Sequence, residues 1–308
     1  MTARTIFDLV DRNAATRPDA PAIKDCDGQV YSWSEFAALT QDAANLLALH
    51  GAAPGERVMV IGENCLALPV LIHAAARLGA WAVPVNARMS AAEIARIADH
   101  AKPVVTLYTG HISKEAAAHA GDAQGVQTGF GAVQMRTGRP DPEPDDAANP
   151  TAILLYTTGT TGDPKGVMLS HANLIFAAEA SCWLRNLGPD DHVYGALPLT
   201  HVFGVASMLM ASANAGAMVE LATRFDPARL FQALREGATV MPAVPQMHAL
   251  LMAHAEAQGH KTLGAERLRY VSSGAAPLDP AWKRKAESFY GLPLQNGSGM
   301  TESTAGVS

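Results

Sequence analysis

The sequence predicts an α/β fold in which a mainly parallel sheet is covered by helices. Three observations carry this. Short apolar runs of strand character alternate with helix-length segments that open on capping residues. At 308 residues, 48% hydrophobic and 17% charged, the chain can bury a sizeable core and is too apolar to be disordered. No internal repeat or low-complexity segment interrupts the alternation.

The elements follow in order. Runs at 22–25 and 29–33 flank Asp27-Gly28, a hairpin turn signal. Ser32 and Glu35 form a capping box that opens a helix toward His50. A strand at 57–61, a helix at 66–78 stopped by Gly79, and a strand at 80–85 come next. Ser90 and Glu93 cap another helix before a strand at 103–108. The stretch 137–150 is rich in Pro and Asp, reads as an exposed connection, and is where a lobe boundary is expected. Beyond it, Ser170 caps a helix over 172–186 with Gly188 past its end. Asp226 and Pro227 open a helix that ends before Gly237, and Asp279 and Pro280 open one that runs to Gly291. Strands are expected at 238–244 and 269–272.

Composition excludes several classes. A net charge of -6 and a pI near 6.0 disfavour a nucleic-acid surface. Cys26, Cys65 and Cys182 have no paired spacing, which suits small hydrophobes in a reducing, cytoplasmic setting. The first ten residues lack a signal-peptide apolar core. Residues 196–219 carry no Asp, Glu, Lys or Arg, but Pro198, Thr200, Ser207, Ser212 and Asn214 favour a core helix over a membrane span. His73, His100, His111, His119, His248, His254 and His260 show no metal-ligand spacing and read as surface or helix residues. Lys283, Arg284 and Lys285 read as a solvated face.

One segment points to chemistry. Tyr156-Thr157-Thr158-Gly159-Thr160-Thr161-Gly162-Asp163-Pro164-Lys165-Gly166-Val167 follows an apolar run at 152–155. The glycines let backbone N–H groups approach an anion, the threonines add hydroxyl donors, and Lys165 adds a point charge. Gly166 after the lysine breaks the Walker A pattern, which requires Ser or Thr there. The segment resembles the phosphate loop of adenylate-forming enzymes, the superfamily of AMP-binding acyl-CoA synthetases, luciferases and peptide-synthetase adenylation domains.

The resemblance extends to three more segments. Pro198-Leu199-Thr200-His201-Val202-Phe203-Gly204 is similar to the family's carboxylate pocket, which implies substrate contacts from His201, Val202, Phe203 and Gly204, with Met208 behind them. Ser273-Gly274-Ala275-Ala276-Pro277 resembles the adenine segment, implying nucleotide contacts from Gly274, Ala275, Ala276 and Pro277. Asn296-Gly297-Ser298-Gly299-Met300-Thr301-Glu302 resembles the segment that completes the nucleotide site. There Thr301 is implied to touch the α-phosphate, while Thr157 and Glu302 are implied as Mg2+ ligands. Lys165, His201, Thr301 and Glu302 are the implied catalytic set. Ser298 stands where the family usually has an aromatic ring against adenine.

The resemblance also implies two packed, mainly parallel β-sheets with flanking helices in layers. It implies ATP, Mg2+ and CoA as cofactors, a small-molecule carboxylic acid as substrate, and admits a homodimer. The family's later elements, including its small C-terminal domain, do not follow Ser308, so an N-terminal portion of a longer protein is expected, impaired or inactive alone. No carboxylate in 196–219 could pair with a substrate ammonium, which disfavours amino-acid activation. Phe203, Met208 and Met210 suit an apolar aliphatic or aromatic acid. The expected activity is AMP-forming acyl-CoA synthesis; the alternatives are a non-catalytic nucleotide-binding module and a luciferase-like oxidase.

Overall fold

The computed structural model describes residues 3–147, 149–158 and 164–306. The chain opens with helix α1 (Ile6–Thr16), the hairpin of β1 (Pro21–Lys24) and β2 (Val30–Ser32), and helix α2 (Trp33–Leu49). Then come β3 (Arg57–Gly62), α3 (Ala67–Arg77), β4 (Trp81–Asn86), α4 (Ala91–Ala101), β5 (Val105–Tyr108) and α5 (Lys114–Ala120). Two hairpins follow, β6 (Gln124–Thr128) with β7 (Gly131–Thr137), and β8 (Thr151–Thr158) with β9 (Pro164–Ser170). The second half continues with α6 (His171–Arg185), β10 (His192–Gly195), a helical run, and β11 (Met218–Leu221). That run comprises α7 (Val202–Gly204), a π-helical stretch Val205–Met210, and α8 (Ala211–Ala215). Next are α9 (Pro227–Glu236), β12 (Val240–Ala243), α10 (Pro245–Ala257), β13 (Tyr270–Ser273), α11 (Pro280–Tyr290) and β14 (Leu294–Asn296). A last small hairpin joins β15 (Gly299–Met300) to β16 (Ala305–Gly306) around a 3-10 turn, Thr301–Ser303.

Two seven-stranded sheets organise these elements. One has the order β6-β7-β5-β3-β4-β8-β9, the other β14-β13-β12-β10-β11-β1-β2. The second is parallel except at the β1–β2 edge. The first is parallel at β5-β3-β4-β8 and antiparallel at its two hairpin edges.

Side-chain alternation puts the core on both faces of each sheet. Val58, Val60, Ile153 and Leu155 of the first sheet and Val193, Val219 and Val240 of the second share one central core with α1, α2, α3 and α6. The intervening residues Met59, Ile61, Val83 and Leu154 turn outward onto α4 and α5. Tyr194, Met241 and Val271 likewise turn onto α9, α10 and α11. The layers therefore run helix, sheet, helix, sheet, helix. Doubly covered strands read as continuous apolar runs, which is why 57–61 and 80–85 are legible as strands.

The capping residues behave as their chemistry dictates. Ser32 with Glu35 and Ser90 with Glu93 form reciprocal capping boxes, and Asp226 and Asp279 cap helices with Pro at the first position. Helix α6 ends as expected at Asn186, in the left-handed region (φ 50°), whose N–H closes onto the Cys182 and Trp183 carbonyls. Two expectations are corrected. The uncharged 196–219 stretch is not one helix: Gly216 (φ 72°) stops it, and Met218 and Val219 enter β11 beside β10. The glycine-threonine segment is not wholly loop, since Thr157 pairs with Lys165 and Thr158 with Pro164 across the β8–β9 ladder. Residues 138–144, 146–147 and 149–150 are exposed, yet the Asp141 carbonyl accepts from the buried Arg57 guanidinium (2.6 Å) and the half-buried Asp145 accepts from the Trp81 indole (2.9 Å).

Candidate active site

The segments singled out in the sequence all leave the C-terminal ends of parallel strands, the edge where open α/β sheets place ligand crevices. Residues 196–204 follow β10, 273–277 follow β13, and Asn296 ends β14. The β8–β9 hairpin extends from a strand parallel to β4 in the other sheet. Of the twelve-residue segment, Gly159, Thr160, Thr161, Gly162 and Asp163 lie outside the described residues; Thr157 is half-buried and Lys165 exposed.

Close backbone approaches bring these segments together. Ser273 pairs with Asn296, and the Gly297 N–H donates to the Ser273 carbonyl at 3.1 Å. Gly274 lies under the Phe203 ring: a Cβ there would sit 2.9 Å from Cε1 and 3.1 Å from Cζ. Gly204 is equally constrained, since a Cβ would lie 2.1 Å from the Pro198 carbonyl oxygen. Ala275, beside Gly274, is held at φ 68°, a conformation that costs a non-glycine residue about 1 kcal/mol or more and that clusters at ligand sites.

The small hairpin β15–β16 completes the grouping. Its turn is pinned by Ser303, whose hydroxyl accepts from the Met300 N–H (3.2 Å) and donates to the Met300 carbonyl (3.0 Å). Strand β9 packs against the Thr301–Ser303 turn, while α7 and the π-helical stretch pack against β16. Thr301 is thereby buried, whereas Glu302 and Ser298 remain exposed. The small hairpin carrying Glu302 thus bridges the two, with its turn on the strand that carries Lys165 and its strand β16 on the helix that His201 caps.

His201 shows how the backbone sets a side chain's chemistry. Its Nδ1 accepts from the Phe203 N–H at 3.2 Å, and a backbone N–H can only donate. The ring proton therefore sits on Nε2. His201 is itself exposed, but the groups packed around its ring remove part of its water and lower the imidazole from its ordinary value, so at neutral pH it is an uncharged donor. Val202 and Met208 are buried, and Met208 and Met210 belong to the central core; Phe203 is only half-buried. The π-helical stretch directly behind His201 is an uncommon element, frequent at functional sites.

A family model described as AMP-binding enzyme matches residues 10–308. The chain belongs to the AMP-binding enzyme family. It is 30% identical over 301 residues to a feruloyl-CoA synthase from Amycolatopsis sp, covering 96% of this chain and 59% of the relative. It is 31% identical over 317 residues to 4-coumarate–CoA ligase 5 from Oryza sativa subsp. japonica, covering 96% and 57%. Among solved structures, ATP-bound MatB from Rhodopseudomonas palustris superposes with a TM-score of 0.81 at 26% identity, covering 98% of this chain and 61% of that one. The chain thus spans about 60% of the length of the relatives it matches.

Glu302 presents an exposed carboxylate and Thr157, half-buried, a hydroxyl, each an oxygen donor of the kind Mg2+ takes together with phosphate oxygens and water. Among the described residues, no group of three or more His, Cys, Asp or Glu could hold a metal without such help. No helix of the described residues is long and apolar enough to cross a membrane.

Two features of the site escaped the sequence reading. Asn64, buried just after β3, donates from Nδ2 to the Gly195 (3.1 Å) and Leu197 (2.8 Å) carbonyls and accepts from the Leu199 N–H (2.9 Å). It ties the first sheet to the turn that leads into His201. Beside it, Glu63 is 3% exposed and clasped by Arg88 Nε (2.6 Å) and by Arg224 Nε (3.1 Å) and Nη2 (3.2 Å). Burial opposes its ionisation, but the two guanidiniums prevail and hold the carboxyl below its usual range. These residues, with Pro198 and Thr200, line a cavity of about 100 Å3.

The remaining candidates take structural places. Cys65 is fully buried, which pushes its thiol up to about 12, while Cys26 and Cys182 are half-buried. His73 and His248 are not surface residues but fully buried helix residues with bonded rings. Lys283 pairs with Glu287 one turn away at 3.7 Å on the open face of α11.

Proposed function

We propose that this chain forms the nucleotide-binding and carboxylate-activating portion of an AMP-forming acyl-CoA synthetase acting on an apolar acid. In that reaction a carboxylate oxygen attacks the α-phosphorus of ATP, the bond to pyrophosphate breaks, and an acyl-adenylate forms. The CoA thiol then attacks the acyl carbon and releases AMP. No protein nucleophile is required, so the protein's share is positioning and charge neutralisation.

The observation that carries this reading is the packing of the small β15–β16 hairpin between two elements: β9 meets its Thr301–Ser303 turn, and the helix capped by His201 meets β16. Lys165 and the threonines of the hairpin would receive the phosphates, and Thr301 the α-phosphate. The neutral His201 would donate from Nε2 to the substrate carboxylate. Mg2+, held by Glu302 and Thr157, would neutralise phosphate charge. Gly274 to Pro277 and Asn296 to Met300 would receive the adenine, without an aromatic ring at Ser298 and with correspondingly weaker stacking, by about 1 kcal/mol. The half-buried Phe203, whose ring lies over Gly274, supports an apolar acyl or aryl group. Relatives named for ferulate and 4-coumarate favour the aromatic choice.

The test is acid-dependent exchange of radiolabelled pyrophosphate into ATP, run with ferulate, 4-coumarate, benzoate and fatty acids, beside calorimetric titration of ATP. Exchange with an apolar acid supports the assignment. ATP binding without exchange for any acid favours a nucleotide-binding module, a reading consistent with coverage of about 60% of the relatives' length. Absence of both refutes the nucleotide site.

A further inference from the structure

We propose that His248 is the positioning residue that fixes the adenine-facing segment at both ends, an inference that rests on the nucleotide reading above. His248 is fully buried on α10, and both of its ring nitrogens are engaged. Nε2 lies 3.2 Å from the Ser272 carbonyl oxygen and Nδ1 lies 2.8 Å from the Tyr290 hydroxyl. A carbonyl can only accept, so the proton sits on Nε2, and Nδ1 accepts from the phenol. Burial pushes the Tyr290 phenol far up, keeping it a protonated donor, and pulls the imidazole down to about 4, keeping it neutral.

The geometry links the two flanks of one loop. Ser272 is the last but one residue of β13, immediately before the 273–277 segment, so the His248 bond holds that segment's entry. Its exit is helix α11, which opens on the Asp279 cap (Trp282 N–H to Oδ1, 2.8 Å). The Trp282 ring meets His248 edge-on at 6.2 Å between centroids, and Tyr290 is the last residue of the same helix. One imidazole therefore touches the strand before the segment and both ends of the helix after it. Two buried hydroxyls at this strand end, Ser272 Oγ and Ser273 Oγ, find no partner among the described residues. Unpaired buried hydroxyls mark a strand end whose polar groups are incompletely served by the protein itself. A loop with Ala275 at φ 68° needs such external fixing to persist.

The experiment compares ATP with inorganic tripolyphosphate by calorimetry on the 308-residue chain, because the second ligand has the phosphates but no ring. His248→Leu should weaken ATP by about tenfold and leave tripolyphosphate unchanged. His248→Gln, whose side-chain amide can donate to the Ser272 carbonyl, should restore most of the ATP affinity. Tyr290→Phe, which removes only the phenol donor, should give a smaller loss confined to ATP and covers the case in which His248→Leu does not fold. Equal losses for both ligands in the folded variants, or no ATP loss in any of them, overturn the proposal. If the unmodified chain binds tripolyphosphate but not ATP, or neither, it is the nucleotide reading that fails, and the proposal with it.

Discussion

Gly274→Ala probes the contact between the proposed nucleotide and carboxylate segments with a single methyl group. The added Cβ would lie 2.9 Å from Phe203 Cε1, whereas unstrained carbon contacts lie near 3.5 Å or beyond, so the ring must retreat by about 0.6 Å. Gly274 does not require a positive φ, so the cost arises from the contact and not from the backbone. Overpacking of this kind costs about 1–3 kcal/mol in a closed core. Phe203 is half-buried and can move, which places the cost near the lower end, about 1 kcal/mol. Pyrophosphate exchange should show an acid KM raised by about fivefold, with a modest fall in Tm. The double variant Gly274→Ala with Phe203→Leu should recover part of the stability, since the smaller side chain relieves the clash. Unchanged KM and Tm in Gly274→Ala, or strict additivity with Phe203→Leu, would refute the contact argument.

Other consequences are equally open to measurement. Asn64→Leu strands the Gly195 and Leu197 carbonyls and the Leu199 N–H, and should cost about 2–4 kcal/mol in urea unfolding. His73 and His248 both have folded values near 4 against about 6.5 unfolded, so the fold prefers their neutral forms. Their stabilising effect is present above pH 6.5 and is lost as pH falls toward 4, by about 3 kcal/mol for each ring. Unfolding curves at pH 7, 5.5 and 4.5 should show that decline, and His248→Gln should remove about half of the histidine contribution to it. His201→Ala should lower exchange by about 100-fold while leaving ATP affinity within a factor of about two, as expected for a donor that acts on the reacting carboxylate.

Local chemistry explains what was legible in the sequence. Ser32 with Glu35, Ser90 with Glu93, and the Asp-Pro pairs at 226 and 279 specify helix starts within four residues, so no knowledge of the fold is needed to see them. The doubly covered β3 and β4 announce themselves as apolar runs. By contrast β6 and β7 carry few apolar residues and exist through their pairing with each other and, for β7, with β5. Strands β10 and β11 are four residues each, and β11 hides at the end of a run that reads as helix. Helix α1 opens on Thr5 with Asp8 in place of the usual Glu or Gln, a capping box that is easy to pass over. Site segments were visible as motifs, but their meeting was not. Asn64 acts on backbone groups 131 to 135 residues away, and nothing about an asparagine after a strand announces that reach. The same holds for His248, whose partners on β13 and α11 come from sheet order rather than from spacing.

The most direct test of the account titrates ATP into the unmodified chain, Lys165→Ala and Glu302→Gln, with Mg2+ and again with EDTA. If the β8–β9 hairpin and the Thr301–Ser303 turn hold one metal-bound triphosphate, Lys165→Ala weakens binding in both conditions, and Glu302→Gln weakens it only when Mg2+ is present. ATP affinities indistinguishable from the unmodified chain in both variants, with Mg2+ present, would contradict it.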